Sequence, residues 1–409
     1  MPTALAYLVS HPIQYQAPLL KRISAEPDIR LSVIYLSDRS AGRYSDPGFG
    51  INVEWDSDLL SGYEYRVICP DDAKPSLDSR EWSRSQQVKA IATLRRVLRE
   101  GRYDALWVHG YRSPVMFAGV LAAKQLGIRV LIRGESQIET TTAHSLPSRM
   151  LRRVALPRIF RLGDAFLAVG TRNKAFYRSN GVPAERIFLM PYAVDNAFFR
   201  TGAIAARPGR AALLRDLNLE PHRPVILSVG KLIDIKRPHD LLAAYAAVAG
   251  GTGEEARASL VFVGDGPGRG TLEREVAQRG LSAVRVTGFR NQRELPRFYD
   301  LCDVFVLPSA FEPWGLAVNE AMNAARPVVV SDASGCADDL VVEGSTGFTF
   351  PAGDVGALAR TVGALLQSPE LARTMGDAAL GHISGWDFEA DVIGLRAALA
   401  SSVGQPASA

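Results

Sequence analysis

Short apolar runs alternate with helix-length amphipathic stretches along nearly the whole chain. In the first half, the runs at residues 4–9, 31–36, 65–68, 105–109, 130–133, 165–169 and 187–190 predict strands, and stretches such as 86–100 and 115–126 predict the helices between them. A second series follows, with strands at 225–229, 260–263, 284–287, 304–307, 328–331 and 348–350 and helices such as 239–248 and 270–279. Strands that alternate with helices imply parallel, doubly wound sheets, and two series imply two Rossmann-like α/β domains in tandem. Residues 201–224, rich in Ala, Arg and Pro, are expected to form a linker with a lead-in helix. One more helix is expected from Trp386 to Leu399. The expected division is therefore 1–200, 201–385 and a final segment 386–409.

A length of 409 residues agrees with two domains. With 47% hydrophobic and 22% charged residues, the chain has the composition of a globular protein, not of a disordered or low-complexity one. No apolar run reaches the roughly 18–20 residues of a membrane span. The N-terminal run lacks a basic n-region and a small-residue cleavage site, so it reads as a strand and not a signal peptide. Cys69, Cys302 and Cys336 are too few and too scattered for a disulfide framework or a zinc cluster, which points to a reducing cytoplasm.

Charge is unevenly placed. Residues 1–200 carry 28 Lys and Arg against 19 Asp and Glu, whereas residues 201–409 carry 19 against 24. The densest basic stretch, Arg149, Arg152, Arg153, Arg158 and Arg161, is interleaved with Met150, Leu151, Val154, Leu156 and Ile159. It suits peripheral contact with an anionic inner membrane face, although a solvated helix face explains the pattern somewhat better. Nucleic acid is not an expected partner, because no stacking platform or nucleic-acid motif accompanies the charge.

In open α/β sheets ligands bind beyond the carboxyl ends of the strands, so chemistry is expected there. Gly230 and Lys231 follow the strand 225–229 directly, with Lys236 close behind. The chain has seven lysines, and these are the two beyond residue 200. Two ammonium groups so placed can neutralise a diphosphate and the charge that develops on it as it departs. After the strand 304–307 come Phe311, Glu312, Pro313, Trp314, Gly315 and Leu316, and then Glu320. Glu312 is expected on a loop and Glu320 in a helix from Gly315 to Ala325, whose free N–H groups at Gly315 and Leu316 would accept an anion. A carboxylate beside them can bind sugar hydroxyls. Gly264 with Asp265 and Gly266, and Gly288 with Phe289, also follow strands and could approach a phosphate or a base. A plain strand-to-helix turn explains each of them as well.

In the first half, His11, Gln14 and Tyr15 follow the first strand, His109 ends another, and Arg133 and Glu135 lie at a third. Together they make an acceptor-side surface plausible, although each alone serves equally as a cap or packing residue. Asp56-Ser57-Asp58 has the form of a metal-binding Asp-x-Asp, but no His or carboxylate cluster accompanies it, so no metal is expected. Gly-x-Gly-x-x-Gly after a first strand, a P-loop and a Gly-x-Ser-x-Gly elbow are missing from the sequence, which argues against dinucleotide binding, P-loop chemistry and serine hydrolysis.

The ordered set Ser-Val-Gly230-Lys231-Leu…Lys236, Val-Phe-Val-Gly264-Asp-Gly-Pro, Val-Thr-Gly288-Phe289, Leu-Pro-Ser…Phe-Glu312-Pro-Trp-Gly315-Leu316…Asn-Glu320-Ala-Met, Gly344…Gly347-Phe and Pro351-Ala-Gly-Asp354 resembles retaining glycosyltransferases of family 4, whose fold is GT-B. The resemblance covers nearly all of residues 222–370. Pro191-Tyr-Ala-Val-Asp195 is similar to the family's interdomain Pro-Asn-Gly-Val-Asp, and the matches at His11-Pro-Ile-Gln-Tyr, Trp55-Asp and Tyr103-Asp-Ala-Leu-Trp-Val-His-Gly are looser. It implies two Rossmann-like domains facing a cleft, with the last helix crossing back to the first domain. The second domain would hold a nucleoside-diphosphate sugar, UDP or GDP being the expected nucleotide, and no metal or other cofactor is implied. Lys231 and Lys236 would grip the diphosphate, Glu320 the ribose and Glu312 the hexose, with Lys231, Lys236 and Glu312 carrying the catalysis. The acceptor, a glycan, a lipid-linked sugar or a small molecule, would lie on the first domain. Two departures stand out: Arg133-Gly-Glu135-Ser replaces a segment where many members carry His, and Ser-His-Pro-Ile-Gln-Tyr replaces the glycine-rich first loop. They leave room for two other readings, a non-catalytic sugar-nucleotide-binding paralogue and a GT-B sugar-nucleotide epimerase.

Overall fold

A computed structural model describes residues 1–69, 76–138, 146–248 and 257–401. The chain divides into two compact units. The first comprises Met1–Tyr44, Ser57–Tyr192 and the segment from Phe388 onward, and the second comprises Ser45–Asp56 and Ala193–Asp387.

In the first unit, the strands are β1 (Thr3–Val9), β2 (Ile29–Tyr35), β5 (Glu64–Val67), β6 (Ala105–His109), β7 (Arg129–Arg133), β8 (Ala165–Ala168) and β9 (Ile187–Leu189). They form a parallel sheet in the order β5-β2-β1-β6-β7-β8-β9. The register places Tyr7 of β1 between Val33 and Trp107. Alternate residues of β1 face opposite layers: Ala4, Ala6 and Leu8 join one core, while Leu5, Tyr7 and Val9 join the other. The last helix, Phe388–Ala400, closes the second layer with Val392, Leu395 and Ala398. Arg129 grips its carboxyl end by donating to the carbonyls of Leu399 at 2.6 Å and Ser401 at 2.8 Å, which satisfies acceptors that a helix end leaves open.

The second unit has β10 (Val225–Val229), β11 (Ser259–Val263), β12 (Val284–Val286), β13 (Val304–Leu307), β14 (Val328–Ser331) and β15 (Gly347–Phe350), all parallel, in the order β12-β11-β10-β13-β14-β15. The central strands β11, β13 and β14 are buried throughout, as parallel strands covered on both faces must be. Every strand expected from the sequence is present, within two residues of its expected bounds.

Three expectations need correction. Within residues 201–224 the expected lead-in helix is present, but the first part is helical as well and not a linker. Asn196–Ala206 and Arg210–Asp216 are helices, because an alanine-rich run propagates helix once Asp195 caps it by accepting from the Phe198 N–H, and Phe199, Ala203, Leu213 and Leu214 are buried. Trp386 does not start the last helix. It stays in the second unit, against Trp314 at 5.4 Å between ring centroids. A two-stranded hairpin, β3 (Tyr44–Asp46) and β4 (Ile51–Val53), escaped the sequence pattern because its strands have three residues each.

Candidate donor site

The site is built where the strand order of the second unit reverses, between β10 and β13. Three strand-end loops are joined there by their backbones. Gly230 N–H donates to Val263 O at 3.0 Å, Leu232 N–H to Asp265 O at 2.8 Å, and Gly264 N–H to Gly288 O at 3.0 Å. Gly264 must be glycine. Its φ is +149°, and a Cβ there would lie 1.8 Å from the Gly230 carbonyl oxygen. Asp265 fixes the same turn by accepting from Gly266 N–H and from Arg269 at 2.8 Å.

Lys236 and Glu312 meet across the reversal point in a direct ion pair, although 76 residues separate them. Their loops are joined by Ala310 N–H donating to Ile235 O at 2.8 Å. The Glu312 backbone is braced in turn by the loop after β14, donating to Ala333 O at 3.2 Å and accepting from Gly335 N–H at 2.9 Å. Lys231 and Lys236 line one small cavity with Gly230, Leu307 and Pro308. The Lys231 ammonium is held by Asp46, at 2.8 and 3.1 Å to its two oxygens, and lies 4.7 Å above the Phe49 ring.

Gly315, at φ +108°, is the N-cap of the helix Leu316–Asn323, which is shorter than expected and ends before Ala325. Trp314 fixes its angle by donating from the indole to Asn319 at 2.9 Å, and Asn323 does so by donating to Asn196 at 2.7 Å. Glu320 projects from this helix and accepts from the Tyr299 hydroxyl at 2.5 Å. Burial pushes the Glu320 carboxyl up to about 7, against the opposing pull of the Tyr299 hydrogen bond. Phe289 stands in an aromatic group with Phe49 at 5.0 Å and Trp55 at 5.8 Å. The Asp-x-Asp carboxylates are committed to backbone: Asp56 accepts from Arg293 N–H at 3.0 Å, and Asp58 caps the turn at Leu60 and Ser61.

Residues 210–381 match the family model for glycosyl transferases group 1, and residues 61–193 match the glycosyl transferase 4-like domain. The D-inositol 3-phosphate glycosyltransferase 2 of Catenulispora acidiphila is 32% identical over 304 residues, 71% of this chain and 69% of that protein. The chain belongs to the group 1 glycosyltransferase family. The alpha-D-kanosaminyltransferase of Streptomyces kanamyceticus is 32% identical over 201 residues, 49% of this chain, and the matched stretch spans only half (50%) of that relative's length. HepE of Anabaena, crystallised with UDP and glucose, superposes with a TM-score of 0.74 at 19% identity, covering 98% of this chain and 100% of HepE, so the fold is GT-B.

In the first unit of this group 1 glycosyltransferase, the polar strand ends also converge. The Tyr7 hydroxyl donates to Gln16 at 2.7 Å and lies 3.0 Å from His109 Nδ1, and Gln16 Nε2 lies 3.2 Å from the same nitrogen. His109 Nε2 stands 3.7 Å from Glu135, which also accepts from the Tyr192 hydroxyl. Burial pushes the Glu135 carboxyl up, but His109, Tyr192 and Arg133 outweigh it and hold the group below the usual carboxylate range. Tyr15 packs edge-on against Tyr192 at 5.8 Å. His11 bonds Ser10 Oγ at 2.9 Å, and Gln14 is half-buried on the same loop.

Arg133 needs correction. It was expected on the acceptor surface, but it is 2% exposed, pairs with Asp391 of the last helix at 3.4 Å and donates to Pro191 O at 3.1 Å. It also lies over the rings of Tyr192 and Trp107. A guanidinium so enclosed holds the last helix. Sequence reasoning missed Gln16, Tyr192, Tyr299 and the Asp46 hairpin. Tyr192 lies inside the segment 191–195, but no spacing rule links any of the four to its partner.

Proposed function

We propose that the protein is a retaining, metal-independent hexosyltransferase that moves a sugar from a nucleoside-diphosphate donor to an acceptor hydroxyl. The observation that carries this reading is the Lys236–Glu312 contact across the β10–β13 reversal, beside Lys231 and the start of the helix Leu316–Asn323. The two ammonium groups and the free N–H groups at the helix start receive the negative charge that grows on the diphosphate as the anomeric C–O bond breaks. Glu312 takes hydroxyls of the hexose, and Glu320 takes those of the ribose. The acceptor hydroxyl attacks the oxocarbenium-like carbon from the face the diphosphate leaves, and the departing phosphate accepts its proton, so the anomeric configuration is kept. UDP and GDP are the favoured nucleotides. HepE was solved with UDP, and one relative from Mycolicibacterium smegmatis is a GDP-mannose-dependent mannosyltransferase. Glu135 with His109 is the favoured acceptor contact on the first unit, for a glycan, lipid-linked or small-molecule hydroxyl. The test is release of nucleoside diphosphate from a panel of UDP-, GDP- and ADP-sugars with mixed acceptors. Release that proceeds unchanged in Lys236→Ala, or in no case at all, defeats the reading.

Among the described residues, no helix is long and apolar enough to cross a membrane. The helix Leu146–Phe160 nonetheless leaves Met150 71% and Val154 53% exposed one turn apart, with Arg153 and Arg158 exposed beside them and Arg161 just beyond. The side chains of Arg149 and Leu151 lie outside the described residues. This face suits peripheral contact with anionic phospholipid at the cytoplasmic side of a membrane. Co-sedimentation with phosphatidylglycerol vesicles but not phosphatidylcholine vesicles, lost in Arg153→Glu/Arg158→Glu, is the expected result.

A further inference from the structure

The Lys231 ammonium already holds an anion that the chain supplies itself. Asp46 reaches it with both carboxylate oxygens, and the Asp46 side chain is only 14% exposed. Burial pushes that carboxyl up, but Lys231 and the N–H groups of Phe49 and Gly48 outweigh this and keep it charged. The fit around the ammonium is close: a Cβ on Gly48 would lie 2.6 Å from Lys231 Nζ. Resting on the donor reading above, we propose that the tip of the β3–β4 hairpin is a built-in occupant of the diphosphate end of the site, with Asp46 holding Lys231 until a nucleoside diphosphate displaces it.

The hairpin is fastened unevenly, and that makes the exchange feasible. At its far end the attachments are hydrogen bonds to backbone and amide groups, one of them accepted by the Asp56 carboxylate, and aromatic packing. Asn291 donates to Glu54 O at 2.6 Å and accepts from Asp56 N–H at 3.2 Å, Arg293 N–H donates to Asp56 at 3.0 Å, and Trp55 packs on Phe289. At its tip, a carboxylate and the Phe49 ring hold one ammonium. An incoming diphosphate brings more negative charge than Asp46 to the same cation and repels Asp46 from it. Glu312 occupies Lys236 in a similar way, but its backbone is bonded on both sides to the loop after β14, so its side chain can turn towards the sugar while the loop stays in place. Asp46 has no such choice, because its side chain already closes the turn at Gly48 and Phe49. When it lets go of Lys231, the tip loses its ionic anchor and keeps the packing of Phe49 on Phe289.

The decisive measurement is calorimetric binding of UDP, GDP and the parent nucleosides to the full chain. Removing the internal competitor in Asp46→Asn tightens diphosphate binding by about tenfold, the gain expected if the hairpin leaves Lys231 open about a tenth of the time. Binding of uridine or guanosine, which carry no phosphate, stays as in the wild type. Phe49→Ala, which keeps the carboxylate but loosens the tip, moves affinity in the same direction by less. UDP or GDP also speeds chymotryptic cleavage after Phe49 in the wild type. Unchanged or weakened diphosphate binding in Asp46→Asn, with binding still abolished by Lys231→Ala, overturns the hairpin proposal and leaves the donor reading intact. If no nucleoside diphosphate binds either protein, the donor reading falls and the hairpin proposal falls with it.

Discussion

The six strands of the second unit follow the same order as the first six of the first unit, to which β9 is added, and the two units use the reversal point in opposite ways. Each places a polar contact across the two strands that flank the reversal, Gln16 with His109 in the first unit and Lys236 with Glu312 in the second. In the first unit the surrounding space is filled by the chain's own rings. Tyr7 lies on Trp107 at 4.0 Å, and Arg133 sits between Trp107 and Tyr192. In the second unit the equivalent loops approach as bare backbone, with glycine wherever another carbonyl comes close, and the charge stands on two lysines lining a cavity. One topology thus yields a side-chain network that fixes a helix and a few hydroxyl partners, and a backbone cradle open to an anion.

That contrast breaks most visibly at Arg133. Replacing it with Met leaves Asp391, which is wholly buried, without its cation, at a cost of about 3–5 kcal/mol to the first unit. Calorimetry should show an unfolding transition at markedly lower temperature, whereas UDP or GDP continues to bind the remaining folded unit. Arg133→Met combined with Asp391→Leu should recover most of the loss, since an apolar pair of similar volume has no buried charge to satisfy. If Arg133→Met leaves stability intact but weakens acceptor binding, Arg133 faces substrate after all and the contrast drawn above is wrong.

In the second unit, Lys236→Ala should leave the fold intact and lower turnover by about 10²–10³-fold, the usual loss when one group that stabilises developing negative charge is removed. The check is steady-state release of nucleoside diphosphate, with circular dichroism confirming the fold. A similar loss from Gln16→Ala, with no change in stability, would show that the first unit's network touches the reacting atoms as well.

The strand-end framework of the candidate site in the second unit was largely legible in the sequence. Gly230 and Lys231 directly follow β10 and Glu312 lies on the loop after β13, with Lys236, Gly315 and Glu320 further along the same two connections, and strand ends follow from local hydrophobic patterning. What stayed hidden depends on contacts between residues far apart in the chain. Asp46 lies 185 residues before Lys231, Arg133 lies 258 before Asp391, and Tyr299 reaches Glu320 from a different helix. The hairpin also defeated pattern reading because three-residue strands carry too few alternations. Its Asp-Pro-Gly turn was the one local signal. The start of the stretch 201–224 was taken for a linker for a related reason, because alanine and arginine weigh as helix formers only after a cap and a buried face are known.

Glu320 offers a gentler test. Its folded carboxyl titrates near 7 while an unfolded one titrates near 4.5, so the folded state binds the proton more tightly. The stability this gives is present below the unfolded value and is lost as pH rises through about 7. Glu320→Gln removes the titration, so its melting temperature should exceed the wild type's by several degrees at pH 8 and match it at a pH well below the unfolded value. Donor binding should run the other way in the wild type, strengthening as pH rises through 7, because the ionised carboxylate accepts two ribose hydroxyls where the protonated form competes as a donor. Nucleoside affinity that stays flat between pH 6 and 8 would remove Glu320 from the ribose contact.

The smallest expected effect is that of metal removal, and it bears on the same contrast because it asks where the positive charge comes from. If Lys231, Lys236 and the helix start supply it, dialysis against EDTA should leave turnover within roughly twofold of the untreated enzyme, since no step of the charge stabilisation runs through a cation held by carboxylates. Among the described residues, no group of three His, Cys, Asp or Glu side chains stands ready to hold a metal ion, and Asp56 and Asp58 each accept from backbone N–H groups. Activity that collapses in EDTA and returns with magnesium would mean that the diphosphate arrives carrying its own cation. Lys231 would then be surplus to charge balance, and its pairing with Asp46 would be a permanent structural contact, not one that the donor has to break.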